Sequence, residues 1–403
     1  MSRPPYVVTG IGVAAPTGVG AKDHWTATMR GESALRPLPC AGSSDTGARC
    51  GGQIEHLDPA QLLPSRLMVQ TDRATQLALI AAAEALDDAE VDLRHHTSDT
   101  AGVVTAVAGP GAQFHQGVLD DLFRRSSRHV SAYEPFAWFY PAAAGQISIR
   151  HGLRGPSATI VGEQAGLDAV AKACGELRTG ATLMLAGAVD GSLCSWSLAC
   201  RRGSGRLSEQ ADPRRCYLPF DQRACGHAPG EGGALLVIEP QRDGQRPVYG
   251  VIAGYATAFD PRPGSGREPG LRRTIEAALQ DAGTTPAAID VVFADAAGMP
   301  DLDRAEAQTL AAVFGPRAVP VTAPKTMTGH LLAGGSALDL ATALLSMRHR
   351  AIPPTVNVKE PAYDDLIDLV RSPRETTIDY ALVVARGYGG FNSAVVLRRT
   401  GQA

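Results

Sequence analysis

The stretch Ala158–Thr159–Ile160–Val161–Gly162–Glu163–Gln164–Ala165–Gly166–Leu167–Asp168 decides how this chain is read. An apolar run meets a glycine and then a helix-forming run, which predicts a strand, a tight turn and a helix. Enzymes mount a nucleophilic side chain at the tip of such an elbow. Here the tip carries Glu163 and Gln164. A carboxamide is no nucleophile and takes no proton near neutral pH. The frame is that of covalent catalysis, and the reacting atom is missing.

Outward from the elbow, strand-like and helix-like runs alternate. Before it lie the strand Tyr6–Val13, a helix around Asp23–Arg30, the Ala/Leu-rich helix Thr71–Ala89, the strand Gly102–Ala106 and helical periodicity over Gln113–Phe123. After it come the helix Ala165–Arg178 and the strands Thr182–Gly187 and Gly233–Glu239. Beyond a polar linker at Pro240–Arg246 the pattern restarts. It runs through strand Val248–Ala256, helix Gly270–Ala282, strand Asp290–Ala294, helix Asp303–Phe314, strand Val319–Val321 and helix Ala333–Met347. The strands Tyr380–Arg386 and Ser393–Arg398 close it. Such alternation predicts an α/β protein with mainly parallel sheets covered by helices. The restart predicts two duplicated halves, residues 1–239 and 247–403.

With 403 residues the chain can bury a large core without staples. A formal net charge of -3 shows no bias toward nucleic acid or anionic membrane. No apolar run reaches the roughly 18–20 residues of a membrane span, and Met1–Ser2–Arg3 leads directly toward a strand. The seven cysteines, Cys40, Cys50, Cys174, Cys194, Cys200, Cys216 and Cys225, are irregularly spaced without a C-x-x-C. They predict buried thiols rather than disulfides or a zinc site. The histidines make no metal-binding pattern. The expectation is a soluble cytoplasmic protein with no metal and no cofactor.

Four further segments join the elbow: Pro219–Gly226 with Gly230–Gly233, Asp290–Gly298 with Asp303 and Glu306, Pro324–Gly335, and Arg386–Ser393. In this order they resemble the β-ketoacyl-acyl carrier protein synthases, and the match runs from Val7 to Arg399. The resemblance implies a thiolase-like five-layered α-β-α-β-α fold. It also implies that an active relative carries a Cys at the elbow and a His in each of two later loops. A thiolate gains from a helix N-terminus, and two imidazoles steady the enolate that forms as a malonyl thioester loses CO2. Here the elbow has no Cys, and Ala297 stands where the first His is expected. Only His330 and its helper Lys325 remain.

The Gly-Glu-Gln-Ala-Gly signature, the Phe136–Tyr140 and Gly145–Gly152 blocks and Phe293–Asp295 resemble one subfamily: the chain length factors, or ketosynthase beta subunits, of bacterial type II polyketide synthases. That resemblance implies a heterodimer with a condensing ketosynthase alpha subunit, an acyl carrier protein delivering thioesters, and a tunnel that limits the poly-β-ketone. It places Gln164 at the vacated cysteine position with a one-residue shortening, although an ungapped register places Glu163 there. Gln164 then either closes a dead pocket or helps polarise a malonyl thioester for decarboxylation. His330 and Lys325 read as a remnant hydrogen-bonded pair, and Asp221, Arg223 and Glu231 as a buried structural network.

Ala112, His115 and Leu119 share one helical face. That face reads as core with one His accommodated; the resemblance makes it the tunnel gate, with Phe136, and the small Ala112 predicts a long product. Tyr388 reads as structural, and Arg124, Arg125 and Arg128 as a solvated face or a carrier-protein dock. Two rivals stand beside the subunit reading. One is a self-sufficient condensing enzyme with another nucleophile, which the expected distance of Cys194, Cys200 and Cys225 from the elbow disfavours. The other is a homodimeric scaffold.

Overall fold

The computed structural model describes residues 5–39, 47–91, 99–242, 248–262 and 264–401. Cys40 and most of the linker placed at Pro240–Arg246 lie outside the described residues. The first half contributes strands β1 (Tyr6–Ala15), β2 (Ala101–Val107), β3 (Ser157–Val161), β4 (Leu183–Asp190) and β5 (Gly232–Pro240). The second contributes β6 (Gly250–Phe259), β7 (Val291–Phe293), β8 (Pro320–Thr322), β9 (Tyr380–Gly387) and β10 (Phe391–Arg398). From the centre outward the order is β1-β5-β4-β2-β3 on one side and β6-β10-β9-β7-β8 on the other, where a two-residue strand at Asp368–Leu369 follows β8. Numbered within its half, each side reads 1-5-4-2-3.

Strand directions repeat as well. The two inner steps of each half are antiparallel, and the two outer steps are parallel. The expectation of mainly parallel sheets is thus corrected to mixed ones. The reason is local at β9 and β10: the turn Tyr388–Gly389–Gly390 is far too short for a crossover and returns the chain as a hairpin. Both turn glycines sit at positive φ, 90° and 91°, which explains their residue type. The halves join where β1 and β6 pair antiparallel over Tyr6–Val8 and Gly250–Ile252.

The main helices are α1 (Arg73–Asp88), α2 (Ala112–Arg124), α3 (Ala142–His151), α4 (Ala165–Arg178), α5 (Ser195–Arg202), α6 (Gly270–Asp281), α7 (Pro300–Phe314) and α8 (Ala333–His349). α1 and α3 cover the outer face of the first sheet, and α6 with α7 that of the second. α4 and α8 fill the space between the sheets and touch both. This is the five-layered arrangement. α8 is buried all round its length through Met347, as its alanine- and leucine-rich composition without a polar face requires. A Cβ at Gly166 would lie 2.6 Å from the Ala333 carbonyl and 2.5 Å from Ser336 Oγ. α4 and α8 therefore cross at a point that only glycine allows.

Candidate functional site

β3 ends at Val161, Gly162 turns the chain at φ 145°, and Gln164 caps α4 at φ −80°. The two tip side chains part company here. Glu163 faces a cavity of about 610 Å³. Its Oε2 accepts the Tyr388 N–H at 3.0 Å and stands 3.9 Å from Arg206. Burial raises its pKa, against the pull of Arg206 and Arg201.

Gln164 does not line that cavity. It is buried, and its Nε2 donates to Asp168 Oδ2 at 3.0 Å. Asp168 also accepts from Tyr255 and Ser393 at 2.9 and 2.5 Å. A Cβ on Gly387 would meet Gln164 Oε1 at 2.2 Å, and one on Gly162 would meet it at 2.8 Å. The carboxamide is wedged between two glycines. The residue open to the cavity is the one that the ungapped register places there.

His330 is half-buried beside the cavity. Its ring stacks on His227 with centroids 4.3 Å apart, and His227 lines the cavity itself. The Leu332 N–H and an Arg201 N–H approach His330 Nδ1 at 3.4 and 3.5 Å, which makes Nδ1 an acceptor and leaves the proton on Nε2. Burial, then the charges of Arg201 and Lys325, keep this imidazole neutral by lowering its pKa well below the usual value. Burial does the same for His227, whose ring is hydrogen-bonded to the Ala297 backbone. A second imidazole thus stands next to the alanine that replaced the expected one, supplied from the loop before Gly230. The sequence reading missed it because only the fold brings residue 227 against residues 297 and 330.

Lys325 is not hydrogen-bonded to His330, which corrects that expectation. It makes an ion pair with Asp339 of α8 at 2.7 Å and donates to the Asp295 carbonyl at 2.9 Å. Those acids outweigh burial and hold its pKa up. The expected single network of Asp221, Arg223 and Glu231 is two. Arg223 grips Asp221 at 2.7 and 2.8 Å. Glu231 is clamped by Arg73 at 2.8 Å through both oxygens. Asp221 also accepts the Lys359 and Glu360 N–H groups, and Glu231 that of Ile54.

Of the expected tunnel face, Ala112 lines the cavity, whereas His115, Leu119 and Phe136 do not. His115 is bonded to Glu134 and packs with tilted rings against Trp138 and Trp196, with centroids 4.5 and 5.3 Å away. Those two indoles line the cavity in its place, so His115 braces a wall made by others. Phe136 is exposed. Tyr388 lines the cavity and lies 5.0 Å beneath the Arg206 guanidinium.

The cysteines need correction too. Cys200 and Cys225 are exposed, and Cys200 lines the cavity instead of lying away from the elbow, because α5 packs across the mouth. Arg124 and Arg125 pair with Asp120 and Asp121 on an exposed face. Among the described residues no helix is long and apolar enough to cross a membrane, and no cluster of His, Cys, Asp or Glu is placed to hold a metal.

An elbow between two mixed sheets, facing stacked imidazoles, defines a class. Residues 4–244 match the beta-ketoacyl synthase N-terminal domain and residues 249–359 its C-terminal domain. The chain belongs to the beta-ketoacyl synthase family. Within it the chain groups with the polyketide ketoacyl synthase beta subunits. It is 52% identical to the tetracenomycin polyketide synthase ketoacyl synthase beta subunit of Streptomyces glaucescens, covering 100% of both chains. It is 49% identical to the actinorhodin polyketide putative beta-ketoacyl synthase 2 of Streptomyces coelicolor, over 98% of each. Among solved structures it superposes with TM-score 0.88 and 25% identity on a type II polyketide synthase ketosynthase chain solved with its acyl carrier protein, covering 99% of this chain and 100% of that one. The ishigamide ketosynthase/chain length factor shares the fold at TM-score 0.89 and 24% identity, over 99% and 100%.

Proposed function

We propose that this chain is the non-condensing beta subunit of a minimal type II polyketide synthase, a chain length factor acting in the cytoplasm. It pairs with a condensing ketosynthase alpha subunit and helps set the length of a poly-β-ketone carried by an acyl carrier protein. One observation carries this reading. At the elbow of an otherwise intact synthase fold, the tip facing the cavity is a carboxylate and the next residue is a wedged carboxamide, so no thioester can form there. The relative solved with its acyl carrier protein supports that partner.

The outer edge of the first sheet supports heterodimer formation. Among the described residues β3 pairs on one side only, with β2. Val161 on that strand is half exposed, and exposed Ile149 lies on α3, which packs against it. An unprotected edge with apolar neighbours is what a partner's strand can cover. Residues 1–239 and 247–403 are read as the two duplicated units. Gln164 is read as structural closure and not as a decarboxylation catalyst, since its carboxamide is held by Asp168 and does not line the cavity.

Co-expression with a ketosynthase alpha subunit and an acyl carrier protein tests the reading. A stable heterodimer that makes polyketide, with no acyl adduct on this chain by mass spectrometry, is expected. An adduct on Cys200 of the isolated chain would instead establish a self-sufficient enzyme, and purification as a homodimer indifferent to the alpha subunit would establish a scaffold.

A further inference from the structure

Cys50 and Cys216 come from distant parts of the chain and meet in one small core with Leu35, Tyr217 and Ala228. Both are buried free thiols, and neither lines the cavity. The Cys50 thiol donates to the Ala211 carbonyl at 3.0 Å, and the Cys216 thiol donates to that of Pro213, in the same turn, at 3.3 Å. The two thiols also hydrogen-bond to each other. Cys50 rides on the short strand Cys50–Gly52, which is firmly held. The Gly52 N–H donates to the Pro229 carbonyl at 2.9 Å, and the Gly52 carbonyl accepts the Glu231 N–H at 3.1 Å. The turn beside the pair is a surface one, with Ala211, Asp212, Arg214 and Arg215 exposed. Opening that turn admits a small solute to the sulfurs and leaves the sheets folded.

We propose that Cys50 and Cys216 are a redox pair, which closes to a disulfide when a peroxide reaches them and reopens on reduction by a thiol. The Cys50 thiolate attacks one peroxide oxygen and the O–O bond breaks. Cys50 becomes a sulfenic acid, and the departing hydroxide takes up the proton that Cys50 shed. Cys216 then attacks that sulfur, the S–O bond breaks, and a second water leaves with the Cys216 proton. Two thiols give up two electrons and two protons, and one peroxide becomes two waters. Burial raises the pKa of both thiols, and the Cys216 hydrogen bond draws that of Cys50 back, so Cys50 is the attacking sulfur. The same burial makes the reaction slow and keeps the pair reduced in a reducing compartment. Closure matters to the cavity because the stretch from Cys216 to Glu231 carries His227 into its wall. The Gly52 bonds already hold the far end of that stretch, and the disulfide fastens the near end to the same strand. The inference stands apart from the chain-length reading and needs no partner subunit.

Hydrogen peroxide treatment of the full chain, alone and in its purified complex, tests the pair. Remaining thiols are blocked with N-ethylmaleimide as the protein is unfolded, and its peptides are mapped by mass spectrometry without reduction. A cross-linked Cys50–Cys216 peptide, lighter by two hydrogens and split by dithiothreitol, is expected as the main disulfide. Oxidation should also slow hydrogen exchange over residues 211–228 by about tenfold or more in wild type, and not in Cys50→Ser. The peptide map needs wild type only, so a poorly folded variant does not shield the proposal. Pairing of either sulfur with another cysteine, sulfinic acid at Cys50 or Cys216 in place of the disulfide, or no change at either sulfur each overturns it. So does an equal slowing of exchange in Cys50→Ser.

Discussion

Neighbouring side chains at the elbow face opposite surroundings, one toward a cavity and one into a slot between glycines. Replacing Gln164 by Ala removes a buried hydrogen bond and leaves a small void, costing about 1–3 kcal/mol. The denaturation midpoint of the complex should fall while its product distribution stays the same. Unchanged stability with altered turnover would return Gln164 to the chemistry. Gly387→Ala, whose Cβ would press on Gln164 Oε1 at 2.2 Å, should lower the midpoint further. At this scale the sequence disclosed that the nucleophile was absent, because residue type alone settles that. Which tip residue faces the cavity was hidden, since the answer depends on Gly387, a long way along the chain. The Lys325–Asp339 pair was hidden for the same reason.

At the scale of elements, the first turn of α2 and the edge strand β3 carry separate predictions. Ala112 opens onto the cavity and Leu119, two turns on, does not. Ala112→Phe should shift products toward shorter chains by mass spectrometry, and Leu119→Phe alone should not. An equal shift from both would mean that the growing chain runs along the whole helix face. Just past β3 the Gly162 N–H points to Val107 on β2, so by alternation that of Thr159 within the strand points outward. Thr159→Pro removes this outward donor, which an edge position tolerates. Partner co-purification should be lost while circular dichroism is retained. A complex that survives places the partner elsewhere. Helical periodicity disclosed α2 to within a residue at each end. The indoles of Trp138 and Trp196, which form the wall, come from separate segments that no periodicity connects.

Across the whole molecule, buried acids tie stability to pH. Asp303 is pushed up to about 7, first by burial, then by the charge of Glu306, against the N–H groups of Phe220 and Gly298. The folded state then binds a proton that the unfolded state releases near 4. Stability from this group is present below that value and is lost as pH rises toward 7. Asp303→Asn should flatten the fall of denaturation midpoint between about pH 4 and 7; an unchanged slope would acquit this residue. Asp221, which Arg223 and three backbone N–H groups hold at about 2 despite burial, acts oppositely and loses its contribution only as pH falls from about 4 toward 2. The alternation of elements in the sequence predicted sheets covered by helices, its restart predicted the duplication, and the family resemblance implied the five layers. The mixed strand directions did not follow from it, because strands buried on both faces, as β4, β5, β9 and β10 are, read as continuous apolar runs whichever way their neighbours point.

The two halves differ in how their fourth and fifth strands are joined. In the second half, strands four and five are joined by Tyr388–Gly390 alone, whereas in the first the chain wanders through residues 191–231 between β4 and β5. That detour brings Trp196, Cys200, Arg201, Arg206 and His227 to the cavity. Much of what could make one such protein differ from another therefore lies in a single contiguous cassette outside the sheets and central helices. Its exchange between relatives would rewrite the cavity wall while leaving the layers as they are.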